Sequence, residues 1–287
     1  MKIAFGMIVF DGDYVLKECL ESVYPFATQI LIAEGPVRYW QDQGYKTSSD
    51  KTNEILDGFP DPEGKVTVIH GQFEEKDEEC RAYMHYMRDD IDYVWNLDSD
   101  EIYKPDDIET IIKLLEEEQY TSVGIRSCSF YGGFDDYIGG FELNKDNFLR
   151  IFKVYKGATW KTHRPPTIVV PEGTKTLPKK HLDSDTLWTK HGVQMYHYSY
   201  VFPSQVQKKI SYYRASVSKN NCHPNYYESI YLPWVRGNRD VEWSWSGVHE
   251  FTPQVRGDAF TRKFDGTHPK VIENQIEKFK DRIQNEL

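Results

Sequence analysis

The sequence has few cysteines, and those it has are widely spaced. Its 287 residues include four, which form no Cys-x-x-Cys pair. This spacing argues against a disulfide framework and against a structural zinc site, and it favours buried thiols in a reducing compartment. The four are Cys19, Cys80, Cys128 and Cys222.

Long apolar segments are also missing. The first apolar run, Ile3 to Phe10, stops at Asp11 and Asp13. It is too short to span a membrane, and its polar residues come too early for a signal peptide. We therefore expect a cytoplasmic protein with no transmembrane segment and with at most peripheral contact with membranes.

Basic residues are in the minority. Asp and Glu number 45 against 35 Lys and Arg, which gives a net charge of −10. General binding to nucleic acid or to anionic membranes draws on a basic surface, so the charge argues against both. An acidic protein that binds an anionic ligand needs a local positive charge, and a divalent cation held by carboxylates supplies one.

The first 120 residues or so alternate between apolar strands and amphipathic helices. Buried strands are predicted at Ile3–Val9, Gln29–Ala33, Lys65–Ile69 and Tyr93–Leu97. Helices are predicted at Tyr14–Val23, after Ser48-Ser-Asp50, at Asp77–Met87 and from Pro105 onward. This order predicts an α/β fold with a mostly parallel sheet, in which ligands bind beyond the carboxyl ends of the strands.

Beyond residue 120 the pattern changes. Strands are predicted at Ser122–Phe130, Phe148–Tyr155 and Gln194–Tyr200, and helices at Pro203–Ser218 and Pro269–Asn285. Between them lie a Gly- and Asp-rich loop at 131–140 and an aromatic, turn-rich region at 226–264. The sequence has no internal repeat and no low-complexity linker, so we expect the second half to wrap onto the first.

An acidic cluster follows the fourth strand, in Trp95-Asn-Leu-Asp98-Ser-Asp100-Glu101. Carboxylates this close repel one another unless a cation lies among them. Oxygen ligands of this kind suit Mg²⁺ or Mn²⁺, which also bridge phosphate oxygens. Alternation along the strand would place Asp98 and Asp100 on one side, with Ser99 pointing away. The alternative is a solvated acidic turn that caps the next helix.

Several segments resemble family 2 glycosyltransferases with the GT-A fold. Asp92 to Ile102 resembles the Asp-x-Asp strand end of that family, and Glu18-Cys-Leu-Glu-Ser-Val23 resembles its first helix. The second strand, followed by Glu34-Gly-Pro36 and later by Ser49-Asp-Lys-Thr52, resembles the next conserved block of the family. Two departures stand out, because Glu34 replaces the family's Asp and an insertion splits the block.

The resemblance implies a Rossmann-like GT-A fold with an extension on the acceptor side. It implies transfer of a sugar from a nucleotide-diphosphate donor, uridine-linked, to a hydroxyl of a glycan or glycolipid. Inversion and dependence on Mn²⁺ or Mg²⁺ are implied as well. The expected organisation is a donor-binding half at 1–120, an acceptor-binding half of the same domain at 121–220, and an aromatic extension at 221–287 that ends in a helix.

The resemblance also assigns site residues. The donor-binding residues are Asp11, Glu34, Asp50, Arg81, Asp98 and Ser99, and the metal ligands are Asp98, Asp100 and His197. His197 lies in a Tyr-His-Tyr-Ser-Tyr segment, similar to one in the family that precedes a Lys-rich helix. For Glu34 the alternative is a turn carboxylate, for Arg81 an exposed salt bridge, and for His197 a structural histidine.

The catalytic base is expected to be a carboxylate that accepts the acceptor's hydroxyl proton. Thr162-His163-Arg164 is similar to a His-Glu segment of the family, but Arg164 stands in place of the acid. We predict Glu250, in Gly-Val-His-Glu, as the base, and Asp136 of the Gly-rich loop as the second candidate. Candidates for an aromatic acceptor platform, with core packing as the alternative, are Trp160, Trp243 and Trp245.

Three other classes of protein are alternatives to a glycosyltransferase. A sugar nucleotidyltransferase would open with a basic Gly-rich loop after the first strand, whereas Phe10-Asp-Gly-Asp-Tyr14 is acidic. A metal-dependent phosphoesterase would carry more His and Asp ligands close together. A non-catalytic protein that binds nucleotide sugars or glycans stays open, because no feature besides the pair Asp98 and Asp100 requires catalysis.

Overall fold

The computed structural model describes residues 1–139, 148–215, 225–241 and 260–287. The chain divides into two compact units, Met1–Arg126 with Lys145–Gln194, and Ser127–Asn144 with Met195–Leu287. The boundaries expected at residues 120 and 220 stay predictions. Lys145–Gln194 returns to the first unit, and Met195–Leu287 belongs to the second. The donor and acceptor roles of the segments stay predictions.

The strands are named in chain order. They are β1 (Ile3–Val9), β2 (Gln29–Glu34), β3 (Val66–His70), β4 (Tyr93–Asp98), β5 (Glu101–Ile102), β6 (Ser122–Ile125), β7 (Ser127–Tyr131), β8 (Asp136–Gly139), β9 (Phe148–Lys153), β10 (Thr159–Thr162), β11 (Thr167–Val169), β12 (His181–Leu182), β13 (Met195–Tyr200) and β14 (Phe260–Lys263).

The α-helices are named in the same way. They are α1 (Leu16–Val23), α2 (Arg38–Gln41), α3 (Thr52–Gly58), α4 (Lys76–Met84), α5 (Pro105–Glu118), α6 (Ser184–His191), α7 (Pro203–Ala215), α8 (Leu232–Val235), α9 (Lys270–Glu273) and α10 (Ile276–Glu286).

The first unit is built on a seven-stranded sheet in the order β12-β6-β9-β4-β1-β2-β3. Strand β1 pairs in parallel with β2 and β4, and β2 pairs in parallel with β3. Strand β9 enters between β4 and β6 and runs antiparallel to both. The predicted α/β fold with a mostly parallel sheet is confirmed, and each of the four predicted N-terminal strands ends within one residue of its expected position.

The central strands are mostly apolar and buried, as expected for strands covered on both faces. In β1 the side chains are buried almost without interruption, and β2 is buried throughout. Strand β3 lies at the edge of the sheet and is only partly buried. Gly6 of β1 leaves room for a buried ring, because a Cβ there would lie 2.4 Å from Cε2 of Tyr83.

Helix α5 shows how the sequence sets the ends of a helix. Pro105 occupies its first turn, where the missing N–H is tolerated. Ile108, Ile111 and Leu115 follow at helical spacing and form its buried face. The helix ends at Gln119, which adopts the left-handed conformation with φ 55° and donates its N–H to Leu115 O.

Three cysteines and one predicted platform residue lie in the interior. Cys19, Cys80 and Cys128 are buried, reduced thiols, as predicted. Cys222 lies outside the described residues. Trp160 is 1% exposed and packs edge-on against Phe152, so the structure favours the core-packing alternative for this tryptophan.

The strands of the second unit lie in the order β14-β8-β7-β13. Strand β13 runs parallel to β7, and β8 runs antiparallel to both β7 and β14. Tyrosines fill much of this unit: the hydroxyls of Tyr131 and Tyr226 are hydrogen-bonded at 2.8 Å, and Tyr198 stacks on Phe130.

Two predicted elements are divided in the structure. The strand predicted at Ser122–Phe130 is split at Arg126, where the chain passes from the first unit to the second. The predicted C-terminal helix is split into α9 and α10, with Asn274 and Gln275 between them. Among the described helices, none combines the length and the apolar composition that crossing a bilayer requires.

Candidate functional site

The loop after β1 is bound to the segment that precedes α3. Asp11, with φ 48°, donates its N–H to Ser48 Oγ at 2.9 Å, and Gly12 donates its N–H to Thr52 Oγ1 at 2.8 Å. The Asp11 carboxylate accepts the Ser49 N–H at 2.5 Å. Two segments that the resemblance assigns to the donor are therefore held together by reciprocal hydrogen bonds.

Asp50 belongs to the same arrangement. Its carboxylate accepts the N–H of Thr52 at 2.9 Å and the N–H of Asp13 at 3.2 Å. Burial raises the pKa of Asp50, while the hydrogen bonds from Thr52 oppose that rise. The side chain thus fixes the start of α3, the helix predicted after Ser48-Ser-Asp50, against the loop after β1.

Glu34, the last residue of β2, is fully buried. It anchors the end of the inserted segment at 37–47, which lies between β2 and α3. Its Oε1 accepts the Ser48 N–H at 2.8 Å and the Thr47 hydroxyl at 3.2 Å. Its Oε2 lies 2.9 Å from His70 Nδ1. The side chain therefore holds the loop in place, and direct contact with a donor stays a prediction.

The inserted segment adds an aromatic cluster that sequence reasoning missed. Trp40 packs against Phe10, with ring centroids 5.6 Å apart, and Tyr45 meets both rings edge-on. All three side chains are half-buried. Phe10 directly follows β1, so the cluster lies at the carboxyl end of that strand. The signal available in the sequence was the inserted Tyr-Trp pair itself.

The acidic cluster forms where β4 ends. The strand stops at Asp98, Ser99 and Asp100 make a turn, and Glu101 begins β5. The expectation that strand alternation relates Asp98 to Asp100 is therefore wrong, because the backbone turns before Asp100. A Cβ on Gly12 would lie 2.9 Å from Ser99 Oγ, so the loop after β1 and this turn are in contact.

A buried arginine neutralises part of this cluster. Arg150 of β9 is 4% exposed; its Nη2 donates to Asp98 Oδ2 at 2.9 Å and its Nε donates to Glu101 Oε2 at 2.9 Å. A further bond joins Arg150 Nη2 to Glu101 Oε1. Sequence reasoning missed Arg150, although a charged residue in the middle of the apolar run Phe148-Leu-Arg-Ile-Phe was a signal.

Burial and pairing act in opposite directions on the protonation of these groups. Burial raises the pKa of Glu101, and the Arg150 guanidinium opposes that rise. Burial alone would lower the pKa of Arg150, but the charges of Glu101 and Asp98 raise it above its usual value. Arg150 therefore remains a cation inside the protein.

A second guanidinium approaches Asp98 from the segment after β10. Arg164 Nη2 lies 3.5 Å from Asp98 Oδ2, and its side chain is 46% exposed. The neighbouring His163 is buried, donates its N–H to Asp77 Oδ1 at 2.6 Å, and has its Nδ1 3.5 Å from Cys80 Sγ. Burial lowers the pKa of His163 to about 3, so the ring is neutral.

The remaining predicted site residues lie in several places. Arg81 of α4 is exposed and donates from Nη1 to Lys161 O at 3.5 Å. In the second unit, His197 is a buried residue of β13. Asp136 opens β8 and is paired with Lys263 Nζ at 3.0 Å and with Arg239 Nη2 at 3.4 Å. Glu250, Trp243 and Trp245 lie outside the described residues, and the roles of all these residues stay predictions.

The ligand chemistry at the end of β4 fits a hard divalent cation. Asp98 and Asp100 carry the carboxylate oxygens that Mg²⁺ and Mn²⁺ prefer, and both side chains are half-buried rather than sealed from solvent. Part of the charge of Asp98 is balanced by Arg150 and Arg164. Asp100 therefore suits the role of principal ligand better than Asp98 does.

Residues 46–168 match the family model described as glycosyl transferase family 2. The chain carries a family 2 glycosyltransferase domain. The matched region is less than half of the chain, and it contains the segment before α3, the acidic cluster and both arginines that approach Asp98. The resemblance seen in the sequence, with the enzyme class that it implies, is thereby confirmed for this domain. No curated protein matches the chain.

Solved structures similar to this chain include S. aureus TarS 1-349, at 13% identity and TM-score 0.35 over 47% of this chain and 38% of that one. The complex of TarS 1-349 with UDP-GlcNAc matches at 13% identity and TM-score 0.36, over 47% and 36% of the two chains. Glucosyl-3-phosphoglycerate synthase from Mycobacterium tuberculosis, with Mn²⁺ and UDP-Glc, matches at 15% identity and TM-score 0.31, over 45% and 43%. The matches thus span less than half the length of these proteins.

Proposed function

We propose that the protein is a cytoplasmic, metal-dependent glycosyltransferase that moves a sugar from a uridine-diphosphate donor to a hydroxyl of a glycan or glycolipid, with inversion. The observation that supports this most directly lies in the first unit. There the loop after β1, the segment before α3 and the turn after β4 meet at the carboxyl edge of a parallel sheet. That edge is where ligands bind in open α/β sheets.

In this proposal Asp100 and Asp98 hold Mn²⁺ or Mg²⁺, and His197 is a third ligand. The bound metal would stabilise the negative charge of the leaving diphosphate. The donor contacts are assigned to Asp11, Asp50, Arg81 and Ser99, with Glu34 supporting the loop that contacts the nucleoside. The buried Arg150 orients the Asp98 carboxylate, because its Nη2 donates a hydrogen bond to Asp98 Oδ2.

The acceptor hydroxyl has to lose its proton as the new glycosidic bond forms. Glu250 is our first candidate for the base, and Asp136 is the second. Asp136 is 9% exposed and already interacts with two cations, Lys263 and Arg239. These two ion pairs already occupy the Asp136 carboxylate, which keeps Glu250 first.

The test of the donor class is thermal unfolding of the purified protein with nucleotide diphosphates, in Mn²⁺ and in EDTA. UDP, UDP-GlcNAc and UDP-Glc open the panel, and GDP and ADP complete it. A ligand that binds only the native state stabilises it by about 2.7 kcal/mol at a hundredfold excess over Kd. A shift with uridine diphosphates that requires Mn²⁺ supports the proposal. No shift with any nucleotide would favour a glycan-binding protein that keeps the fold.

Two variants test the metal ligands. Asp100→Ala should abolish the Mn²⁺-dependent part of UDP binding, and wild-type affinity in that variant would refute the central assignment. His197→Ala should weaken Mn²⁺ binding in a direct titration. An unchanged titration curve would return His197 to a structural role. Thermal unfolding without ligand checks that both variants are folded.

A further inference from the structure

Two guanidinium groups approach the same carboxylate oxygen from different environments. Arg150 Nη2 lies 2.9 Å from Asp98 Oδ2 and its side chain is buried, whereas Arg164 Nη2 lies 3.5 Å from that oxygen and its side chain is half-exposed. Arg150 also binds both oxygens of the buried Glu101. Arg150 thus meets the requirement that buried carboxylates be paired with a cation.

Arg164 is not needed for that purpose. Its contact with Asp98 is the longer of the two and is partly solvated, and pairs of this kind contribute little to stability. A half-exposed guanidinium at the end of a central strand is well suited to bind an anion, because its planar array of N–H donors matches carboxylate and phosphate groups. The neighbouring carboxylates Asp98 and Asp100 disfavour a second carboxylate as ligand unless a cation lies between them.

The position of Arg164 is fixed by the residue before it. Arg164 Nε donates to His163 Nε2 at 3.4 Å. A guanidinium can only donate, so Nε2 is the acceptor, and the single proton of the neutral ring is on Nδ1, which faces Cys80 Sγ. The backbone of His163 is held in turn by Asp77 of α4. The side chain of Arg164 is therefore oriented before any ligand arrives.

We propose that Arg164 binds the diphosphate of the nucleotide donor directly, and that His163 is the positioning residue that orients its guanidinium. This inference rests on the proposed function, because it needs a nucleotide-diphosphate ligand at the end of β4. The diphosphate would then be bound by a positively charged side chain of the protein as well as by the metal. The metal-independent part of donor binding then comes from Arg164.

The experiment compares UDP with uridine, which differ only in the diphosphate, by titration in EDTA and in Mn²⁺. In Arg164→Gln the Kd for UDP should rise about 10- to 100-fold, the loss expected for charge-assisted hydrogen bonds, while the Kd for uridine stays unchanged. The increase should persist in EDTA, and Arg164→Lys should recover part of it. Arg88→Gln is the matched control, an exposed arginine paired with an aspartate at the opposite end of the sheet.

Equal UDP affinity in wild type and Arg164→Gln would overturn the inference and leave the proposed function intact. If wild type does not bind UDP, inorganic pyrophosphate replaces it as the probe. If the wild type binds pyrophosphate and Arg164→Gln does not, Arg164 is confirmed as part of an anion site, while the proposal of a uridine-diphosphate donor is rejected. If the wild type does not bind pyrophosphate either, both proposals are rejected. Thermal unfolding checks that Arg164→Gln is folded. If it is not, the UDP and uridine affinities of Arg164→Lys are compared with those of the wild type instead.

The positioning role of His163 has its own readout. Gln offers an acceptor oxygen in place of Nε2, whereas Leu offers none. The ratio of UDP to uridine affinity should therefore stay close to wild type in His163→Gln and fall several-fold in His163→Leu. A purely structural role would change both affinities together and leave their ratio unaltered, which would refute this part of the inference.

Discussion

Arg150 Nη2 lies 2.9 Å from Asp98 Oδ2, although the two residues are 52 positions apart in the sequence. The contact exists because β9 runs antiparallel beside β4 and brings an arginine to the end of the central strand. The same guanidinium binds Glu101, so one buried cation serves two acids of the cluster.

Replacing Arg150 with Met should destabilise the protein by about 3–5 kcal/mol, because Glu101 and Asp98 would lose a buried partner. Urea unfolding at neutral pH measures the change in free energy. Arg88→Met is the control; Arg88 is half-exposed and paired with Asp90, and its loss should cost less than about 1 kcal/mol. Similar costs for the two variants would show that the Arg150 network contributes no special stability.

Glu34→Ala should loosen the end of the insertion. The variant leaves the buried Ser48 N–H without its acceptor, which should cost roughly 1–3 kcal/mol. Limited proteolysis should then cleave the 37–47 segment faster than in wild type. His70→Ala is the control, because its ring is half-exposed and it contacts only Glu34 Oε2 among the anchoring groups. Equal cleavage rates in Glu34→Ala and wild type would contradict the anchoring role.

Gly35→Ala should destabilise the protein by about 2–4 kcal/mol. Gly35 has φ +149°, and a Cβ there would lie 1.9 Å from the backbone oxygen of Gly71, which follows β3. Gly58→Ala is the matched control, since a Cβ at Gly58 meets nothing within 4 Å. Urea unfolding of the two variants should separate them clearly, and equal midpoints would argue that the loops after β2 and β3 can move apart at little cost.

Stability should fall as the pH drops below neutral because His163 is buried in its neutral form. Its pKa is lowered from 6.5 to about 3, first by burial and then by nearby Lys76, Arg164 and Arg150, against the opposing effect of Asp98. Between these two values the unfolded chain binds the proton and the folded protein does not. The folded state therefore loses about 1.4 kcal/mol per pH unit over this range.

The comparison of wild type with His163→Gln isolates that contribution. The difference in unfolding free energy between the two should be constant above pH 7 and should shrink by roughly 3 kcal/mol by pH 4, since Gln does not titrate. Urea unfolding at a series of pH values measures it. A difference that does not vary with pH would mean that the His163 ring titrates alike in the folded and unfolded states.

Local sequence was enough to find the elements that build the site. Strands β1 and β2 are built on continuous apolar runs, and β3 and β4 are built on apolar runs that a single polar residue, Thr67 or Asn96, interrupts. One strand reveals this pattern without knowledge of its neighbours. Asp98, Asp100 and Glu101 stood out because they follow such a run directly. Strands β10, β11 and β12 escaped detection because they are only two to four residues long and carry no clear period.

The sequence by itself thus determined the α/β class, the order of the four N-terminal strands and of the helices between them, and the position of the acidic cluster, because each depends on residues close together in the chain. Tertiary structure alone decided what those residues contact. It brought Arg150 and Arg164 to Asp98, turned Glu34 into the anchor of an inserted loop, and placed Trp160 in the core. Such contacts depend on strand order and register across many intervening residues, and no local period of the sequence encodes them.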